Sequence, residues 1–267
     1  MNQTDTDVRL VRIREDRSLQ DHGLHGERPV EPEMKEFALQ EVRERRLLID
    51  RCDSWLSDEI ASYVGVRVLE VGCGLGNLTC HLLDRELVVA VDLAADSVRH
   101  VSERFAKYAN VQAYAYDVTD PSVLRLERFG FDTVISLNVL EHIEDDGLAL
   151  RHMWQLLRPG GRLVLIVPSH SWLYGAMDSS IGHYRRYSKQ DMERKLRAAG
   201  FCVESHRYMN GLGALGWFVN GRLLRQEVPP KDQLKLFNLL VPVVQLIESM
   251  VPPPFGISLL SIARRPA

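Results

Sequence analysis

The chain has 267 residues, 45% of them hydrophobic and 26% charged, with a formal net charge of -3. This is the make-up of an ordinary soluble globular protein, enough for one domain with an insertion or for two modest units. It excludes a global basic field for nucleic acid or an acidic membrane, though not a local basic patch.

Residues 1 to 30 are polar, rich in Arg, Asp and Gly and without a clear period, and are expected to form a flexible arm. No signal-peptide run is present there. From residue 31 to 64 apolar residues such as Phe37, Val42, Leu47, Trp55 and Ile60 recur among charges, the pattern of one or two helices ahead of the first strand. Residues 31–267 are then read as a single domain.

An alternation of strands and helices follows. Strands are expected at Arg67–Val71, Leu87–Val91, Val111–Tyr116, Asp132–Leu137, Arg162–Val167, Phe201–Tyr208 and Gly256–Ala263. Helices are expected at Asn77–Asp84, Ala95–Tyr108 and Asp145–Leu157, and from the Ser188 cap to Gly200. Such alternation implies a parallel sheet covered on both faces, an α/β fold. Between the sixth and seventh strands, residues 211–254 form a long segment interrupted by Pro229-Pro230 and closed by Pro252-Pro253-Pro254. It is read as a helical insertion, a lid or substrate wall. Its run from Leu236 to Ile247 is apolar on more than one face, as in a core helix, a dimer interface, a hydrophobic acceptor pocket or a weak membrane attachment. Neither it nor any other stretch offers the roughly 20 apolar residues of a membrane span.

In an open parallel sheet, ligands bind beyond the carboxyl ends of the strands. Here those ends deliver Gly72-Cys73-Gly74-Leu75-Gly76, Asp92, Asp117, Asn138 and Ser169-His170. Glycines let backbone approach a ligand closely. Taken alone, the turn serves a nucleotide or is merely a tight strand-to-helix connection. The dinucleotide fingerprint requires a glycine where Asn77 stands, which counts against a nicotinamide oxidoreductase. A carboxylate at the second strand end suits a ribose diol, and Asp117 suits an exocyclic amine. Cys52, Cys73, Cys80 and Cys202 are scattered without CxxC spacing, so neither a disulfide framework nor a zinc site is indicated. No metal is expected, and a reduced, cytoplasmic setting is.

VLEVGCGLGNLT, VVAVDLAADSV, AYDVTD, FDTVISLNVLEHIEDD and LLRPGGRLVLIVPSH resemble, in order, the five motifs of class I S-adenosylmethionine-dependent methyltransferases. The resemblance covers residues 68–169. It implies a Rossmann-like three-layer sandwich whose seven-stranded, mostly parallel sheet has its last strand antiparallel. It further implies S-adenosylmethionine as cofactor, with Glu70, Gly72, Cys73, Gly74 and Gly76 holding the methionine part. Asp92 would bind the ribose, Leu93 pack on the adenine, Asp117 and Val118 contact the adenine amine, and Asn138 lie near the sulfonium. The alternatives on the same fold are a cofactor-binding scaffold or a non-methylating cyclase.

On the acceptor side, His183 and His142 are the candidate bases, His142 also reading as a structural histidine. His170, Tyr184, Arg185, Arg186 and Tyr187 are the candidate substrate-binding groups, since paired guanidinium groups recognise anions and phenols offer flat walls. The same loop also reads as a surface segment whose arginines pair with nearby acids. GHYRRYS resembles a bacterial subgroup often associated with glycosyltransferases or secondary metabolism. Asn138-Val139-Leu140-Glu141 is not the Asn-Pro-Pro-Tyr tetrad of amide or exocyclic-amine methylation, and nucleic acid is excluded as a partner on that ground and on charge. The expectation is transfer to a small-molecule, lipid-linked or sugar-linked acceptor, at oxygen ahead of nitrogen, by a monomer or homodimer.

Overall fold

In the computed structural model, Leu48 and residues 50–267 are described. The expected arm and most of the 31–64 helical region lie outside them. Helix α1 (Asp50–Ile60) precedes seven strands: β1 (Arg67–Val71), β2 (Leu87–Asp92), β3 (Val111–Ala115), β4 (Phe131–Leu137), β5 (Leu157–Pro168), β6 (Cys202–Met209) and β7 (Ser258–Arg264). They form one sheet in the order β3-β2-β1-β4-β5-β7-β6. β1, β2, β3, β4 and β5 pair in parallel, and β7 runs antiparallel to both β5 and β6. The expected Rossmann-like sheet with its antiparallel last strand is thus observed.

The central strands are fully buried because each face is covered. Val68, Val88, Ile135 and Val164 pack toward Trp55 and Ile60 of α1, whereas Leu69, Val89, Val134 and Leu163 pack toward Leu150 and Met153. Strand order reverses between β1 and β4, and the crevice beyond their carboxyl ends is where this architecture binds ligands.

Some element bounds differ from the sequence expectation. The helix expected over 77–84 shrinks to a single 3-10 turn at Thr79–His81. Polar side chains explain this: Asn77 donates to Asp53 at 2.8 Å and Thr79 to Glu70 at 2.6 Å, bonds that pull the segment inward and compete with helix. The helix after β2 ends at Arg104 rather than Tyr108.

The segment between β6 and β7 forms helix Gly211–Trp217, a π turn Phe218–Leu223 and the long helix Lys231–Met250. The long helix lies along α1, with Asn238 bonded to Asp50 and to the Arg51 amide, and Gln245 to Asp58. Its buried Glu248 accepts the Asn210 and Gly211 amides at 2.8 and 2.9 Å, placing a carboxylate at the N-terminus of helix Gly211–Trp217. Among the described residues, one side of the long helix is covered. Phe237, Val241 and Val244 pack inward, but Leu239, Val243, Leu246, Ile247 and Met250 are exposed. No helix among the described residues is long and apolar enough to cross a membrane.

Candidate active site

A cavity of about 440 Å³ opens at the β1/β4 reversal. Its wall includes Glu70, Gly72, Cys73, Gly74, Asp92, Leu93, Asp117, Val118 and Asn138, nine of the ten residues expected to hold the cofactor. Asp92 orders the rim: Oδ2 accepts the Gly74 amide at 2.8 Å and Oδ1 the Ala94 amide at 2.9 Å. Each carboxylate oxygen keeps a further lone-pair site for a diol. Gly72 and Gly74 take φ of +79° and +50°, the left-handed region that favours glycine. A methyl group on Gly72 would strike Val139, while above Gly74 there is open space on the cavity side. Leu93 stands exposed at the lip, an apolar side chain available to a flat ring.

Gly76 is the correction in this set. It does not line the cavity, and a methyl group there would meet the Phe105 ring at 2.6 Å. It lets the turn close on the helix behind it. Asp53, Leu56, Ser97 and Tyr116 also line the cavity; Ser97 and Tyr116 lie inside the second and third motifs, whereas Asp53 and Leu56 carry no motif signal and arrive from α1 across the fold.

Glu70 is buried, and burial pushes its carboxyl up to about 7 despite the Thr79 hydroxyl bond that pulls the other way. A carboxyl raised above its unfolded value stabilises the fold fully below that value, and the contribution is lost as pH rises through about 7. Ligand-free Glu70→Gln should therefore gain melting temperature relative to wild type on going from about pH 5 to about pH 8. Scanning fluorimetry tests this; parallel profiles for the two proteins would remove Glu70 as the titrating group.

A second cavity, about 460 Å³, adjoins the first, the two sharing Asp53, Leu56 and Asn138. It is walled by apolar side chains of the insertion, among them Leu212, Leu215, Trp217, Leu236 and Phe237, with Trp55 and Met177 opposite. Asn138 stands at the junction with φ +54°, a left-handed turn that asparagine tolerates.

His142 lies on the wall of the first cavity. The residue is exposed, but the protein packed around its ring, then the neighbouring His183, pushes the imidazole down to about 4. His183 stands behind it, the rings edge-on with centroids 4.7 Å apart. The Nδ1 of His183 bonds Asp178 at 2.9 Å, and its Nε2 lies 3.7 Å from Glu141. Asp178 is fully buried and takes Arg186 at 2.8 Å, the Trp217 indole at 3.1 Å and the Gly175 amide at 3.1 Å. Burial alone would raise its carboxyl; the bonds from His183 and Trp217 and the Arg186 charge more than offset that and hold it low.

The loop's other expected substrate groups pack in line with its alternative reading, arginines paired with nearby acids. Arg186 is buried, bonded to Asp178 and to the Ser169 carbonyl, and stacked on Trp217, so it has no face for an anionic substrate. Tyr187 is also buried, its hydroxyl between the Leu140 carbonyl and Asp146. Arg185 pairs with Asp146 at 3.0 Å, and Tyr184 is exposed beneath its guanidinium. His170 packs on Tyr208 and Trp172. None of these five lines either cavity. Glu141 and Asp178 are the groups that sequence reasoning passed over, an acid inside LEHIED and one inside the loop, where only burial sets them apart.

A family model described as a methyltransferase domain matches residues 69–163. An uncharacterized methyltransferase of Mycobacterium tuberculosis is 39% identical over 100 residues, covering 37% of this chain and 49% of the relative. A ubiquinone biosynthesis O-methyltransferase of Xanthomonas euvesicatoria is 32% identical over 156 residues, 52% of this chain and 64% of the relative. The chain thus spans about half the length of the first of these and somewhat more of the second. Among solved structures, the [4+2]-cyclase SpnF superposes with a TM-score of 0.54 at 18% identity, over 82% of each chain, a likeness of fold. Matched domain, motif order and sheet agree. Residues 69–163 thus match a methyltransferase domain, set within the seven-stranded sheet that the class I motifs imply.

Proposed function

We propose that the protein transfers the methyl group of S-adenosylmethionine to a hydroxyl on an apolar small-molecule or lipid-linked acceptor. The observation that carries this reading is the pair of cavities: one framed by the glycine turn and Asp92, the other greasy, meeting at Asp53, Leu56 and Asn138. The cofactor supplies the activated methyl group as a sulfonium. The chain's own part is alignment and dryness. The Gly72–Gly74 backbone, Glu70 and Asn138 would hold the methionine end, Asp92 the ribose, and Leu93, Asp117 and Val118 the adenine. Trp217, Leu212 and Phe237 would exclude water and seat the acceptor's apolar body, the insertion acting as its wall.

A hydroxyl acceptor must lose a proton, and His142 on the wall of the first cavity, backed by His183 and Asp178, would take it. The O-methyltransferase among the relatives supports oxygen as the target atom. Arg185 and Arg186 are not needed to bind an anion in this reading.

Methyl-tritiated cofactor incubated with the protein and an extract of the source cell tests it. Label should pass into the organic-soluble fraction. Label confined to water-soluble products would overturn the apolar acceptor, and no transfer at all would return the chain to the cyclase or scaffold reading.

A further inference from the structure

Glu141, His142 and His183 bring a carboxylate and two imidazoles together, with one ligand atom from each within 4.8 Å of the others. The first two sit in the turn Leu140–His142 after β4. His183 returns from the loop after helix Ala176–Ser180, pinned alongside by the Tyr184 amide donating to the Glu141 carbonyl at 2.8 Å. Each imidazole already has an outer partner: Asp178 for His183 Nδ1, and the Gly182 backbone for His142.

With Nδ1 donating to Asp178, the Nε2 of a neutral His183 presents a lone pair toward Glu141 Oε1. Their separation of 3.7 Å is too long for a hydrogen bond. The two atoms lie close enough for one ion to bridge them, with the Arg186 charge also acting on Glu141. A cation about 2.0–2.1 Å from each would bridge them. Histidines that bind metals characteristically have the second ring nitrogen tied to a carboxylate or a backbone group, as both are here.

We propose that Glu141, His142 and His183 form a three-ligand site for a divalent transition-metal ion of the Zn2+ type. Two imidazoles and one carboxylate suit such an ion, whereas Ca2+ and Mg2+ favour all-oxygen sets. His142 lies on the cofactor-cavity wall, with His183 packed behind it, so the site adjoins that cavity. The ion's role rests on the reading above and replaces His142 as the deprotonating group: an acceptor hydroxyl oxygen bound to the ion is polarised by it and loses its proton to solvent. The binding of the ion does not depend on that reading. The metal-free rival is a doubly protonated His183 paired with Glu141.

The test uses full-length, tag-free protein stripped with a chelator and titrated with Co2+. One equivalent should bind with the visible ligand-field bands of a four- or five-coordinate site, and Zn2+ should displace it. His183→Ala should abolish the bands. Glu141→Gln, nearly isosteric, decides the matter if His183→Ala does not fold. Asp178→Asn keeps all three ligands and should weaken binding by roughly 10–100-fold. Wild-type protein without bands, or bands unchanged by these substitutions, would overturn the site in favour of the His183–Glu141 ion pair. Label transfer without Co2+ binding would sink the ion and leave the methyltransferase reading intact; Co2+ binding without transfer would do the reverse.

Discussion

Replacing Asp92 by alanine is expected to weaken S-adenosylhomocysteine binding by roughly 100-fold or more. The carboxylate ties the Gly74 amide to the Ala94 amide, so it shapes the rim as well as facing the ligand. Hydrogen bonds to a charged group contribute about 1.5–3 kcal/mol each, and about 1.4 kcal/mol is a factor of ten. Losing two bonds to a ribose diol would already account for the effect. Calorimetry reads it directly, with nicotinamide dinucleotide as the comparison ligand. Unchanged affinity in Asp92→Ala would mean that the cofactor lies elsewhere in the crevice, and tight dinucleotide binding would reinstate the oxidoreductase reading that Asn77 argues against.

The largest loss of stability is expected from Asp178→Ala. Its carboxylate gathers His183, Arg186, Trp217 and the Gly175 amide, joining the GHYRRYS loop to the wall of the apolar cavity. Removing it leaves the Arg186 guanidinium buried without its counter-ion, a change that costs about 3–5 kcal/mol in buried pairs. For a protein of this size that is a fall in melting temperature of about 10 °C. The double variant Asp178→Ala/Arg186→Met should recover much of the loss, because the stranded charge is gone and methionine fills the space under Trp217. If the double variant melts no higher than Asp178→Ala alone, the charge pair is not what the loop depends on.

The exposed stripe Leu239, Val243, Leu246, Ile247 and Met250 shows what periodicity alone leaves open. Apolar residues on several faces fitted a core helix, a dimer interface, a pocket wall or a weak membrane attachment. The structure buries one face on α1 and the sheet and turns another to the second, apolar cavity. Hydrophobic pattern says that a surface seeks cover but not which neighbours provide it. The short turn at Thr79–His81 has a related cause: side-chain bonds to Asp53 and Glu70, remote in the chain or across a turn, overrode a local helical pattern.

The cofactor side was legible because it is local. A glycine turn, a carboxylate at the next strand end and polar residues at successive strand ends are each written in a few adjacent residues, and the parallel sheet places all of them at one edge. The alternation of strands and helices therefore determined the α/β fold, and the motif resemblance implied the antiparallel last strand and ten cofactor residues, nine of which line the cavity. The tertiary structure alone decided how the run His183 to Tyr187 packs. In the run His183 to Tyr187 charge and aromaticity pointed outward to a substrate, yet burial turned Arg186 and Tyr187 into internal braces on Asp178 and Asp146. The physical reason is that a guanidinium or phenol has the same chemistry in either place. Whether it meets a ligand or a buried carboxylate depends on partners brought from distant elements, which no local spacing records.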